Sequence, residues 1–196
     1  MPAQPKIPLI VYMESTPNPA SMKFVVNKFL LEEGSVEYTS VSQAENCPLA
    51  VKLFGIEGVN GVFITSNFVT VTKDKSLDWY ELATMLRDFI RGYLESGEPV
   101  FTGAKIQVAD PSIERTHSNS ELETKIIETL EEYVKPAVEG DGGAIHFKSF
   151  SEGKVTVVLK GACSGCPSSS ITLKAGIENL LRQMIPEVKE IVAEEQ

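Results

Sequence analysis

Two apolar strands, a pair of cysteines set among glycines and an amphipathic helix follow one another from Gly140 to Met184. No other part of the chain constrains the fold as much. AIHFKSF alternates apolar and polar residues, as a half-buried strand does. Ser151-Glu152-Gly153 turns the chain, and KVTVVLK returns as a second strand. GACSGCPSSS is then a loop that sets Cys163 and Cys166 between that strand and a helix. Leu173, Ile177, Leu180, Leu181 and Met184 mark the buried face of the helix. Pro186 ends it, and VKEIVAE reads as a last strand. Upstream, Ser120 stands three residues before Glu123, the spacing of a capping box. Leu122, Ile126, Leu130 and Val134 share one face of the helix that follows, and Pro136 and Gly140-Asp141-Gly142-Gly143 break its pattern. The order is α-β-β-α-β, with the cysteines at the second strand-to-helix junction.

The first half also mixes strands and helices. LIVYM is a short apolar run stopped by the turn chemistry of STPNPAS, and MKFVV resumes as a strand. SQAENCPLAVKLFGI, Ser42 to Ile56, reads as a helix with Ser42 as N-cap and Pro48 early in it. GVFITSN and FVTVTK are β-branched runs split by Ser66-Asn67, a hairpin. In DWYELATMLRDFIRGYLESG, Trp79, Leu82, Leu86, Phe89 and Tyr93 recur at three- and four-residue steps, which predicts an amphipathic helix stopped by Gly97 and Pro99. The stretch after it, ending in VADPSIERTHSNS, is polar and without period. The expected fold class is therefore α+β in two small domains: residues 1–97, a linker over 98–119, and 120–196.

Of the 196 residues, 42% are apolar and 23% charged, as in a globular protein that buries a core. The net charge of −9 is spread evenly, with 8 Lys+Arg against 12 Asp+Glu in residues 1–100 and 10 against 15 in the rest. No basic patch is available for phosphates, which argues against a nucleic-acid partner. No stretch approaches the ~20 apolar residues that span a bilayer, so no membrane partner is expected. Three cysteines in a chain of this size do not make a secreted disulfide framework. MPAQPKIPLIVYMEST has neither the pattern of a signal peptide nor the Arg-rich pattern of a transit peptide, and a cytoplasmic protein is expected. The acidic end, Glu187 to Gln196, reads as solvated.

A CxxC pair at a helix N-terminus has its thiolates stabilised by free backbone N–H groups and a partial positive charge. That helps metal ligation and disulfide exchange alike. Gly161 and Gly165 allow the tight turns that aim N–H groups at sulfur, and Pro167 suits a first helical turn. Zinc and iron–sulfur clusters want four protein ligands. The domain offers two, because His146 alternates with Ile145 and Phe147 and is expected to face solvent. Cys47 lies in the other domain beside Pro48-Leu49-Ala50 and reads as a small buried thiol. One chain cannot complete such a site, whereas two CxxC loops across a two-fold axis supply four thiolates. On the residues alone, three readings stay open: a shared cluster, a structural zinc-bridged dimer, and a thioredoxin-like dithiol oxidoreductase. The last normally has its CxxC after the first strand of a βαβ unit, and here a helix and hairpin precede it.

The run EGDGGAIHF…GKVTVVLKGACSGCPSSSITLKAGIENLLRQMIPEV resembles the C-terminal domain of the NifU-like (Nfu) iron–sulfur carrier family. YMESTPNPASMKFVVNK and GVFITSNFVTVTK…DWYELATMLRDFI resemble the N-terminal domain of its two-domain members. The resemblance implies a non-enzymatic homodimer that binds a [4Fe–4S] cluster between its subunits. It implies that Cys163 and Cys166 are the ligands. The cluster would come from an upstream donor and pass to apo iron–sulfur proteins. It gives the N-terminal domain no cluster, only a part in recognising clients, and it gives Cys47 no role. The assembly domain and cysteine-rich middle of the longer NifU scaffold have no counterpart here, which points to a carrier. TPNPASMKF identifies the N-terminal domain, but on its own chemistry it is a turn.

Overall fold

The computed structural model describes residues 8–103, 121–164 and 167–195, and the side chains of all but 167–171 and 195. The first domain holds β1 (Val11–Ser15), β2 (Ser21–Val26), β3 (Ser35–Tyr38), α1 (Pro48–Phe54), β4 (Val59–Thr65), β5 (Phe68–Lys73) and α2 (Trp79–Ser96). Its strands form one antiparallel sheet in the order β1-β2-β5-β4-β3. The β4–β5 hairpin closes through Ser66 at φ 37°, the left-handed backbone that two-residue hairpin turns need. Helix α2 begins at Asp78, whose side chain accepts from the Tyr80 N–H, and stops at Gly97 in the left-handed conformation.

The second domain holds α3 (Glu121–Thr129), a π-helical turn (Leu130–Val134), α4 (Lys135–Gly140), β6 (Gly143–Ser151), β7 (Lys154–Gly161), α5 (Pro167–Met184) and β8 (Glu190–Glu195). Strand β7 pairs antiparallel with β6 and parallel with β8, so α5 is the crossover of a β-α-β unit. Mixed helices and strands in two domains are the expected α+β class, and the order α-β-β-α-β holds.

Strand alternation decides the layering. In the first sheet Phe24, Val26, Val36, Ile64, Val69 and Val71 pack with Leu53, Leu86 and Ile90 of α1 and α2. Each of the three helix residues is fully buried, worth about 2–3 kcal/mol. In the second sheet Ile145, Phe147, Val157 and Leu159 pack with Ile126, Ile177 and Leu181. The opposite faces of the two sheets meet each other, with Val25, Phe63, Phe68 and Ala144 as a small apolar patch between them. The order of layers is helices, sheet, sheet, helices. This explains buried polar side chains such as Thr70 and Lys160, which sit on faces that an isolated domain would show to water.

Two local expectations need correction, and one element is added. The helix expected over Ser42–Ile56 is a short 3-10 turn (Val41–Gln43) followed by α1, which starts at Pro48 with Cys47 as N-cap. Proline has no N–H to donate and therefore opens a helix rather than sitting inside one. Pro136 does not end the preceding helix. The π turn widens the spiral one residue earlier, the Lys135 N–H reaches Leu130 O, and helix resumes to Gly140. Strand β3 is an addition, because SVEY carried too little pattern to be read. The capping position Ser120 and most of the expected linker, from 104 on, lie outside the described residues.

Candidate metal centre

Strand β7 ends at Gly161 and α5 begins at Pro167, and Cys163 lies between them. Gly161 has φ 67°, and the Ser164 N–H closes a turn onto its carbonyl at 3.1 Å. This turn points the Cys163 side chain inward, where it is 3% exposed and joins the core beneath α5. Gly143 makes room for it, since a Cβ there would stand 2.8 Å from the sulfur. On its other side Cys163 borders a largely apolar cavity of about 560 Å³, walled by Tyr133, Val134, Leu173, Ile177, Leu180 and Pro17. Cys166 lies outside the described residues. Among the described residues no three His, Cys, Asp or Glu side chains come together as a metal site. Among the described residues the loop offers one soft sulfur, set against largely apolar walls, a donor type that suits iron or zinc.

The other candidates lie elsewhere. Cys47 has no exposure and packs in the first domain's core. Burial pushes its thiol up to about 11, partly offset by backbone N–H groups at Ala50 and Leu49 and by the Tyr38 hydroxyl. It is a neutral thiol at physiological pH. His146 is half-buried rather than open to solvent as its strand pattern suggested. The sheet face it occupies is covered by the first domain, and its Nε2 lies 3.0 Å from Ser35 Oγ.

Behind the loop, Glu37 of β3 reaches across to the second domain, and its Oε1 accepts from the Gly161 N–H at 3.0 Å. Burial raises its carboxyl above the ordinary range, while the Gly161 bond and the Lys160 charge pull it back. Burial likewise lowers Lys160, opposed by Glu37. Glu37 Oε2 is buried with no hydrogen-bond partner among the described residues. Local patterning had no means of finding Glu37, since its partner is 124 residues away.

The chain is thus a two-domain α+β protein with a thiol at a strand-to-helix junction beside a largely apolar cavity. Residues 11–97 match the family described as scaffold protein Nfu/NifU N terminal, and residues 126–192 match the NifU-like domain. NifU-like protein 4, mitochondrial, of Arabidopsis thaliana is 40% identical over 95% of this chain and 66% of that one. The human NFU1 iron-sulfur cluster scaffold homolog, mitochondrial, is 39% identical over 92% of this chain and 70% of that one. A solved NifU-like protein from Saccharomyces cerevisiae covers 53% of this chain and 94% of its own at 22% identity and TM-score 0.45. The family matches and the curated relatives place the chain in the Nfu/NifU-like family. The expected cytoplasmic location is corrected by the same relatives, which are named as mitochondrial. This chain spans about two thirds of their length, so the composition of its first residues says nothing of compartment.

Proposed function

We propose that the chain is an iron–sulfur cluster carrier with no catalytic reaction of its own. Two copies bind one [4Fe–4S] cluster between them through Cys163 and Cys166 of each, and pass it to apo-proteins. The observation that carries this reading is the placement of Cys163, held at the edge of the core against a largely apolar cavity. Two sulfurs per chain leave the site half made, and a second copy supplies the other half. Tyr133 and the partly buried Leu173 and Leu180 offer that copy an apolar surface. The relatives named for cluster scaffolding and for mitochondria support the cargo and a mitochondrial address.

Hand-over is thiolate exchange. A client thiol loses its proton and bonds to iron, and the displaced Cys163 or Cys166 takes up a proton. No electron moves, and the cluster leaves intact.

Anaerobic reconstitution with iron and sulfide tests this. The expected result is one cluster absorbance per two chains, a shift from the cluster-free mass to a dimer, and loss of both in the Cys163→Ala/Cys166→Ala double variant. A double variant holding the same cluster sinks the assignment. Stoichiometric zinc without iron or acid-labile sulfide in the anaerobically purified protein would instead mean a structural zinc bridge. Insulin reduction that depends on both cysteines would mean a dithiol oxidoreductase.

A further inference from the structure

The first domain touches the second at the backbone that leads into Cys163. Three of its elements converge there. From the Pro17-Asn18-Pro19 turn, Asn18 Nδ2 donates to Ala162 O at 3.2 Å. From β5, Thr70 Oγ1 donates to Gly142 O at 2.7 Å. From β3, Glu37 Oε1 accepts from the Gly161 N–H at 3.0 Å. The two receiving strands are themselves joined at this point, since the Ala162 N–H donates to Gly142 O at 3.2 Å. The contacts therefore grip a single knot of backbone, one residue before the sulfur-bearing position.

The Pro-Asn-Pro turn is built to hold its donor still. Asn18 Oδ1 accepts from the Ala20 N–H at 3.0 Å, which fixes the side-chain amide and leaves Nδ2 facing outward. Thr16 Oγ1 reaches Asn18 O and Ser21 O, and Trp79 Nε1 donates to Pro19 O. The glycines on the other side make the approach possible. Gly142 has φ 82°, and a Cβ there would meet Thr16 and Thr70 at 3.1 Å. A Cβ on Gly161 would meet Gly142 O at 2.7 Å and the Phe63 ring at 3.0 Å. The glycines beside the cysteine loop are thus also the seats of the other domain. Pro17 completes the arrangement as one wall of the cavity beside Cys163.

Apolar contact alone would have joined the sheets with no preferred register. Buried polar groups cost free energy unless paired, so directed bonds to Gly142, Gly161 and Ala162 fix one register. We propose that the first domain is a wall of the cluster site. Asn18, Glu37 and Thr70 are positioning residues that hold the backbone entering Cys163 and so set how slowly the loop releases its cargo. This rests on the reading of Cys163 as a ligand.

The test uses the full chain in two states. In the cluster-free protein, native-state amide exchange at Gly161 and Ala162 reports the docking directly. Glu37→Leu should speed exchange at Gly161, and Asn18→Ala/Thr70→Val at Ala162, by about tenfold, with exchange at Val157 in the second domain's core unchanged. Glu37→Gln keeps an acceptor for the Gly161 N–H and should restore the wild-type rate. In the reconstituted protein, loss of cluster absorbance to an iron chelator should be about fivefold faster in both loosening variants and near wild type in Glu37→Gln. Unchanged exchange at both amides overturns the proposal whatever the cluster does. Faster exchange with wild-type cluster loss overturns the positioning role. A wild-type chain that takes up no cluster overturns the carrier reading, and with it the cargo role, while the exchange data still decide the docking.

Discussion

Cys47 and Cys163 have nearly the same exposure, 0% and 3%, and nothing else in common. Cys47 caps a short helix inside a closed apolar core, with Tyr38 as its polar neighbour. Its surroundings penalise the thiolate. Cys163 stands where a strand has ended and a helix is about to begin, with Gly143 on one side and a cavity on the other. A metal ligand has to be deprotonated and within reach of the metal, so exposure alone does not separate a core thiol from a ligand. The distinction lies in what the sulfur meets on the side away from its own core.

The largest expected effect is on cargo. Cys163→Ala should bring cluster absorbance after reconstitution to baseline, while Cys47→Ala should retain it in full. Equal retention by the two variants would erase the difference just drawn.

The next effect is alkaline. The Cys47 thiol stands at about 11 in the folded chain against an ordinary value near 9. A raised folded value means that its contribution is complete below the unfolded value. It is lost as pH rises towards 11, because the unfolded chain ionises first. By pH 11 the loss amounts to about 2 kcal/mol. Urea unfolding at pH 8 and 11 should show Cys47→Ala losing less stability over that interval than wild type. A loss as large as wild type's would place the alkaline sensitivity elsewhere.

A third variant acts on the other thiol. In Gly143→Ala the new Cβ would stand 2.5 Å from Lys160 O and 2.8 Å from Cys163 Sγ. The carbonyl belongs to the paired strand and yields little, so the sulfur has to move. Overpacking of this kind costs about 2 kcal/mol, read from the urea midpoint. Alkylation of Cys163 by iodoacetamide should speed up as the side chain is pushed towards the cavity, while Cys47 stays unreactive. An unchanged Cys163 rate would show that the cavity side is not where it goes.

These contrasts also mark what the sequence can and cannot announce. The β4–β5 and β6–β7 hairpins, α2 and α5 were legible because their signals are local: alternation, a three-to-four-residue period, a stopping Gly97. Strand β3 was not, since four residues at a sheet edge are too few to show a period. Its Glu37 acts on a backbone 124 residues away. Asn18 was masked by its own chemistry, because one end of its amide does make the turn that Pro-Asn-Pro predicts while the other end docks a second domain. Pro136 was misread because a helix can absorb a proline by widening for one turn, which a propensity scale does not contain. His146 was placed in solvent because alternation tells which face a residue takes and not what covers that face.

The smallest effect sharpens the Cys47 side. The Tyr38 hydroxyl donates to Asn46 Oδ1 at 2.9 Å and is the polar neighbour that eases ionisation of Cys47. Tyr38→Phe removes one neutral hydrogen bond, which costs about 1 kcal/mol at neutral pH. It also removes the hydroxyl that would donate to a thiolate once one forms. The Cys47 titration followed by thiolate absorbance should therefore move above 11, against the simple expectation that deleting an acidic neighbour makes a thiol easier to ionise. A downward shift would mean that charge repulsion from an ionised Tyr38 outweighs its hydrogen bond. Burial lifts that hydroxyl still further above its ordinary value than it lifts the thiol. Tyr38 is accordingly neutral when Cys47 ionises, and the hydrogen bond prevails.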